Sequence, residues 1–189
     1  MPDEREPERE IVYEATVPMT WANLMAFLMV PLAFLLFWLP YWAVWRVWPF
    51  AAFLDTSFGG ISTLVLVLAV SVVVHELLHA LGFWQVGGVP LRRIKFGFSW
   101  QGFAPYAHCR DPLPTTAYRI SVALPGLVLG VVPGLVGVAM QQPLLVMWAT
   151  LMLLAAGGDT AVLWAVRRVP GNARVLDHPS LVGCQVLAE

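Results

Sequence analysis

From Ile61 to Trp84 the chain carries no ionisable side chain except His75, Glu76 and His79. A run this long and apolar is a membrane-span candidate. Three ionisable groups inside it are costly to bury, and such groups mark a functional site by default. Three more apolar runs accompany it, at about 20–48, 118–140 and 144–166. Hydrophobic residues make up 59% of the 189, and charged residues only 12%, which excludes an ordinary soluble domain of this size. The expected fold is an all-α membrane protein of four transmembrane helices with a short amphipathic hairpin in the second loop. Residues 1–19 are then a charged, disordered N-terminal segment, 20–169 the membrane domain, and 170–189 a tail.

The basic residues set the expected orientation. Four spans place the N-terminus, the second loop and the tail on one side. That side holds Arg5, Arg9, Arg92, Arg93, Lys95, Arg110, Arg119, Arg167, Arg168 and Arg174, and the other holds Arg46 alone. The positive-inside rule makes both termini cytoplasmic. Cys109 and Cys184, without CxxC spacing, are then reduced thiols. The first apolar run is too long for a cleaved signal peptide and is expected to stay in the mature protein. With one Lys against ten Arg, the composition hints at a GC-rich genome, and the expected home is a prokaryotic plasma membrane. No basic patch interleaved with aromatics is present, so nucleic acid is excluded as a partner.

Within the spans, Pro31 and Pro40 are expected to bend the first, whose Trp38, Trp42, Trp45 and Trp48 form an interfacial belt. Gly126, Gly130 and Gly134 in the third span, four apart, make a ridge for close helix packing. The last two spans are separated by Gln141, Gln142 and Pro143 only, a tight antiparallel hairpin.

His75-Glu76-Leu77-Leu78-His79 is an HExxH motif. Residues four apart share one helix face, so both imidazoles can hold one zinc ion while Glu76, one step round, is free to act as the base on a zinc-polarised water. Catalytic zinc takes three protein ligands and keeps an open position. The other ionisable residue deep in a span is Asp159, in Ala156-Gly157-Gly158-Asp159. Motif and aspartate each lie about eight residues from the same membrane surface, or about 12 Å at 1.5 Å per residue. Zn²⁺, one aspartate and one hydroxide also sum to zero charge, which suits a low-dielectric site. An Asp–Arg pair or a cap on a broken helix are the alternatives for Asp159. His108, His178 and Asp177 are rival ligands that would need a loop to fold back into the membrane.

The second loop alternates Ile94, Phe96, Phe98 and Trp100 with Lys95, Gly97 and Ser99, the period of a strand with one apolar face. Gln101-Gly102 offers a turn into 103–108, so a hairpin is expected, either an interfacial anchor or a strand edge that holds a peptide substrate by β-augmentation. In the tail, Asp177-His178-Pro179 reads as a turn or as a hydrogen-bonding pair near the site.

With these residues on the page, the chain resembles a small family of zincin peptidases once catalogued only as a domain of unknown function. Its active-site plan is similar to that of the site-2 group of intramembrane zinc metalloproteases. The resemblance rests on His75–Phe83 (HELLHALGF), Phe103–Pro112 (FAPYAHCRDP), Tyr118–Pro133 and Gly158–Cys184, and runs from about Ser57 to the C-terminus. It implies a zinc-dependent metallopeptidase with His75, His79 and Asp159 as ligands and Glu76 as base. The substrate would be a membrane or membrane-proximal protein, a transmembrane helix included. Two features depart from the site-2 plan: Asp159 is followed by Thr160 rather than glycine, and Ala123-Leu124-Pro125-Gly126 has no asparagine nearby. The group that stabilises the oxyanion is therefore unassigned. The rival readings are a non-catalytic membrane adaptor that keeps a structural zinc site, and a metal transporter. The latter is disfavoured because the outer half of the spans offers few polar groups.

Overall fold

A computed structural model describes residues 10–54, 58–100 and 104–188. Strand β1 (Ile11–Val17) leads into the long helix α1 (Met19–Trp45), a short α2 (Pro49–Leu54) and the motif-bearing α3 (Phe58–Gln85). A hairpin of β2 (Ile94–Ser99) and β3 (Ala104–Cys109) follows, then the two-residue β4 (Leu113–Pro114) and helix α4 (Thr115–Ala139). Helices α5 (Pro143–Ala155) and α6 (Gly157–Ala165) complete the bundle, and β5 (Arg174–Asp177) and β6 (Val182–Leu187) end the chain.

The all-α expectation is therefore corrected. Among the described residues, six strands form two antiparallel sheets, one in the order β1-β6-β5-β4 and one made of β2 and β3. Strand β1 lies in the segment expected to be disordered. Its Ile, Val, Tyr and Thr favour a pleated, half-buried surface, and it pairs with β6 from Ile11↔Leu187 to Val17↔Val182. Each end of the chain supplies the other with a partner more than 160 residues away in sequence. Local reading gives no hint of such a pairing. In β2–β3 the register runs Ile94↔Cys109 to Ser99↔Ala104; the expected Gln101-Gly102 turn lies outside the described residues.

The four-span expectation also changes. Among the described residues, three helices, α1, α3 from Val65 onward, and α4, are each long and apolar enough to cross a membrane. The run expected as a fourth span is α5 plus α6, bent by 41° at Ala156, and counts as a span only if the two halves are taken together. Gly157 and Gly158 explain the break by weakening the helix. A Cβ on Gly157 would overlap the backbone of Ala26, so this glycine seats α6 against α1 rather than against the motif helix.

The tryptophan belt of the first span is only half present. Trp38 and Trp45 turn inward, donating Nε1–H to Thr150 Oγ1 (3.0 Å) and to the Val138 carbonyl (2.8 Å), which ties α1 to α5 and α4. An indole N–H inside an apolar bundle needs such an acceptor. Trp42 and Trp48 stay at the end of the helix, stacked at 5.5 Å.

Two clusters of buried residues matter for the site. Phe37, Tyr41, Val146 and Leu153 join α1 to α5. Phe83, Leu113, Tyr118, Val166, Val175 and Cys184 weld the ends of α3, α4 and α6 to the four-stranded sheet. The glycine ridge of α4 packs as its spacing predicts: Gly130 faces the Leu153 backbone, and Gly134 faces the ring of the fully buried Phe37.

A Cβ at residue 134 would stand 2.5 Å from that ring, whereas one at residue 126 would stand 3.2 Å from the Ala156 Cβ. Gly134→Ala should therefore cost about 1–3 kcal/mol through overpacking, and Gly126→Ala less. Unfolding of both variants in detergent checks this, and equal stabilities would contradict close packing at Phe37. A second expectation concerns the thiols, both fully buried. Burial pushes Cys109 up to about 11 and Cys184 up to about 12, so both are protonated at neutral pH. The stability this burial confers is complete below the usual thiol value of 9.0 and is lost as pH rises through those values. Iodoacetamide at pH 7.5 should leave both thiols unmodified in the folded protein and label both after denaturation, as read by mass spectrometry.

Candidate metal centre

One helical turn separates His75 from His79 on α3, which puts both rings, each in a buried residue, on the face turned toward α6. The rings meet edge to face with centroids 4.9 Å apart. Asp159 comes from the first turn of α6, immediately after the bend, where unpaired helix N–H groups favour a carboxylate. Its Oδ2 lies 3.1 Å from His75 Nε2 and its Oδ1 3.1 Å from His79 Nε2. The structure thus brings together the three residues expected as ligands, with one ligand atom from each within 4.8 Å of the others. Among the described residues no other group of three His, Cys, Asp or Glu side chains does so.

The residues fit a zinc ion on two grounds. A tetrahedral ion at about 2.0–2.2 Å from each donor sets neighbouring donors about 3.3–3.6 Å apart, a spacing that falls between the 3.1 Å contacts to the two Asp159 oxygens and the 4.8 Å within which all three ligand atoms lie. Asp159 Oδ2 is also buried without a hydrogen-bond partner: His75 Nε2 is near, but no donor is aligned with it. An anionic oxygen kept from water and given no proton donor is a position for a cation.

His79 Nδ1 donates to the backbone carbonyl of Ser121 on α4, at 3.0 Å. A carbonyl can only accept, so Nδ1 carries a proton, which leaves Nε2 as the nitrogen turned toward Asp159. Close approach of the helices makes the bond reachable, for a Cβ on Gly82 would stand 2.6 Å from Ser121 Cα.

Glu76 is half-buried and lines a cavity of about 560 Å³ together with His75, His79 and Asp159. The Ala107 backbone of β3 is within hydrogen-bonding reach of its carboxylate. Gly158 adds no bulk here, as nothing stands within 4 Å of where its Cβ would be.

The rival ligands sit elsewhere. His178 turns away: its Nδ1 accepts from the backbone N–H groups of Ser180 (3.1 Å) and Leu181 (2.7 Å), and its Nε2 faces Glu14 at 3.4 Å. Asp177 lines the same cavity as the triad but is engaged differently. It accepts from Tyr118 Oη at 2.8 Å and the Cys109 N–H at 3.3 Å, and His108 Nδ1 stands 3.1 Å away. His108, the third rival ligand, is half-buried in this knot. Tyr118 is fully buried and continues a stacked series from His79 through Phe83, with centroids 6.5 and 6.1 Å apart. Sequence reading gave Tyr118 no part in the site. A single Tyr at the start of an apolar run was the available signal, and its partner lies 59 residues further on.

Asp177 thus ties β3, which crosses above Glu76, to α4 and the four-stranded sheet. Asp177→Ala would leave the buried Tyr118 hydroxyl with only the longer contact to the Gly183 carbonyl, at 3.4 Å, at a cost of about 1–3 kcal/mol. Faster amide hydrogen exchange in 104–109 should accompany the loss, with exchange in α1 unaffected.

No curated protein and no solved structure matches the chain significantly. The family described as "Putative zincin peptidase" matches residues 68–174, more than half of the chain and a stretch that holds His75, Glu76, His79 and Asp159, and the chain belongs to that family.

Proposed function

We propose that this protein is an intramembrane zinc metallopeptidase that cleaves a membrane or membrane-proximal protein. Its ligands are His75, His79 and Asp159, its base is Glu76, and both of its termini are cytoplasmic. The observation that carries the reading is the convergence of three ligand atoms within 4.8 Å beside the Glu76 carboxylate in one cavity. Family membership supports zinc peptidase chemistry, and the ten-to-one distribution of basic residues supports the orientation.

Zinc, when bound, supplies Lewis acidity toward the attacking water and the scissile carbonyl. The chain's own residues do the rest. Glu76, one step round the helix from the ligands, takes the water's proton and delivers it to the leaving amine. Ala107 of β3 lines the cavity beside it. The substrate is read as an extended segment along β2. A second, almost wholly apolar cavity of about 460 Å³ runs from Phe96, Gly97 and Phe98 to Glu76, and β2 pairs with β3 on one edge. A strand laid there would present its backbone to the base.

Zinc per chain in detergent-purified protein tests the reading. Wild type should hold about one ion, and His79→Ala and Asp159→Ala should lose most of it. Glu76→Gln should keep the ion while hydrolysis falls by about 10²–10⁴-fold. Folded wild type that takes up no zinc on reconstitution would sink the proposal. Full hydrolysis by Glu76→Gln would remove Glu76 from the chemistry, and undiminished zinc in Asp159→Ala would remove that ligand.

A further inference from the structure

Helix α4 carries Pro125 in its interior, four residues beyond Ser121. In an α-helix the carbonyl of residue i accepts from the N–H of residue i+4, and proline has none. The ordinary partner of the Ser121 carbonyl is therefore missing. The next donor does not replace it, because the Gly126 N–H bonds to the Ala123 carbonyl. Nor does the serine's own hydroxyl, which donates to the Ala117 carbonyl at 2.8 Å. What reaches the freed oxygen is His79 Nδ1, at 3.0 Å from the neighbouring helix.

From this geometry we infer that Pro125 is a positioning residue for the metal centre: by withholding a backbone proton it reserves the Ser121 carbonyl for His79 and so fixes that ligand's tautomer and ring orientation. Freed carbonyls in apolar surroundings must find another donor. Gly82 makes this donor the available one, since the close contact of α3 with the Ser121 backbone leaves no room for a side chain between them. The histidine gains equally. A ring with its proton held on Nδ1 keeps the Nε2 lone pair free on the side of Asp159, and such supporting hydrogen bonds raise metal affinity about 10–100-fold. The inference rests on the zinc reading above. Its test separates the two.

The probe is zinc alone, titrated against a chelator into the detergent-solubilised full chain, together with ¹⁵N shifts of the four histidine rings assigned by single substitutions. Wild type should show His79 Nδ1 carrying its proton with or without metal, and the Nδ1–H tautomer when zinc is bound. Pro125→Ala restores the helical N–H, which competes for the Ser121 carbonyl. It should weaken zinc binding about 10-fold or more and shift His79 away from that tautomer. Pro133→Ala makes the same change in the same helix, but restores a donor for the Leu129 carbonyl instead, and should alter neither. If Pro125→Ala does not fold, Gly82→Ala carries the same expectation, because it pushes the carbonyl out of reach. An Nε2–H tautomer in wild type overturns the inference. So does wild-type zinc affinity in Pro125→Ala, or weakened affinity with the Nδ1–H signature intact. Absence of zinc from folded wild type would sink the metallopeptidase reading instead, while the tautomer measurement would still decide the role of Pro125.

Discussion

Two imidazoles and a carboxylate held inside an apolar helix bundle impose more on this protein than any other feature. Away from water each needs a partner, yet they face one another at 3.1 Å across two helices and Asp159 Oδ2 is left without a donor. That demand accounts for the break in the last apolar run. The bend at Ala156 begins a new helix whose first turn contains Asp159, where its charge is favoured. Gly157 can then press against Ala26, so that α1 braces the turn that carries Asp159.

The sheets answer a second demand. A site reached only through packed helices would be closed to a polypeptide, yet one open to bulk water would lose the low dielectric that strengthens its electrostatics. Strand β3 forms a wall over Glu76 that is neither helix nor loose loop. Asp177 fixes this wall at a point where Tyr118, Cys109 and His108 meet. The far ends of the chain, β1 and β6, pair to hold β5 in place, and β5 carries Asp177. A terminal segment that looks dispensable in sequence is thus mechanically linked to the cavity wall.

Much of the site was legible because its chemistry is rare in apolar sequence. HExxH stands out within 61–84, and Asp159 could be matched to it by depth alone. Packing by the α4 glycines followed from their spacing. The strands were less visible. β4 has two residues, β5 four, and β1 pairs with a partner at the other end of the chain, so period and propensity had little to act on. Trp38 and Trp45 read as belt residues because tryptophan's amphipathic ring suits an interface. Their acceptors, Thr150 and the Val138 carbonyl, lie 112 and 93 residues away. Contacts made through backbone atoms are the least visible of all, since the Ser121 carbonyl would be offered by any residue at that position.

Proline shows why such contacts still leave a trace. In sequence, Pro31, Pro40, Pro125 and Pro133 all read as kinks. In the structure they fall in two pairs, each enclosing a wide π-helical turn, Phe34–Trp38 in α1 and Gly126–Val131 in α4. A missing N–H in an apolar bundle leaves a carbonyl that must be satisfied some other way, by a shifted register within the helix or by a donor from outside it. The wide turns follow the first course. At Ser121 the second is taken, and the outside donor is the ring of His79 beside Asp159. A backbone defect that would only cost stability in a soluble helix here leaves a carbonyl that takes a hydrogen bond from the side chain facing Asp159. For that reason the prolines of an apolar helix are best judged by which carbonyl lies four residues before them and what that carbonyl faces.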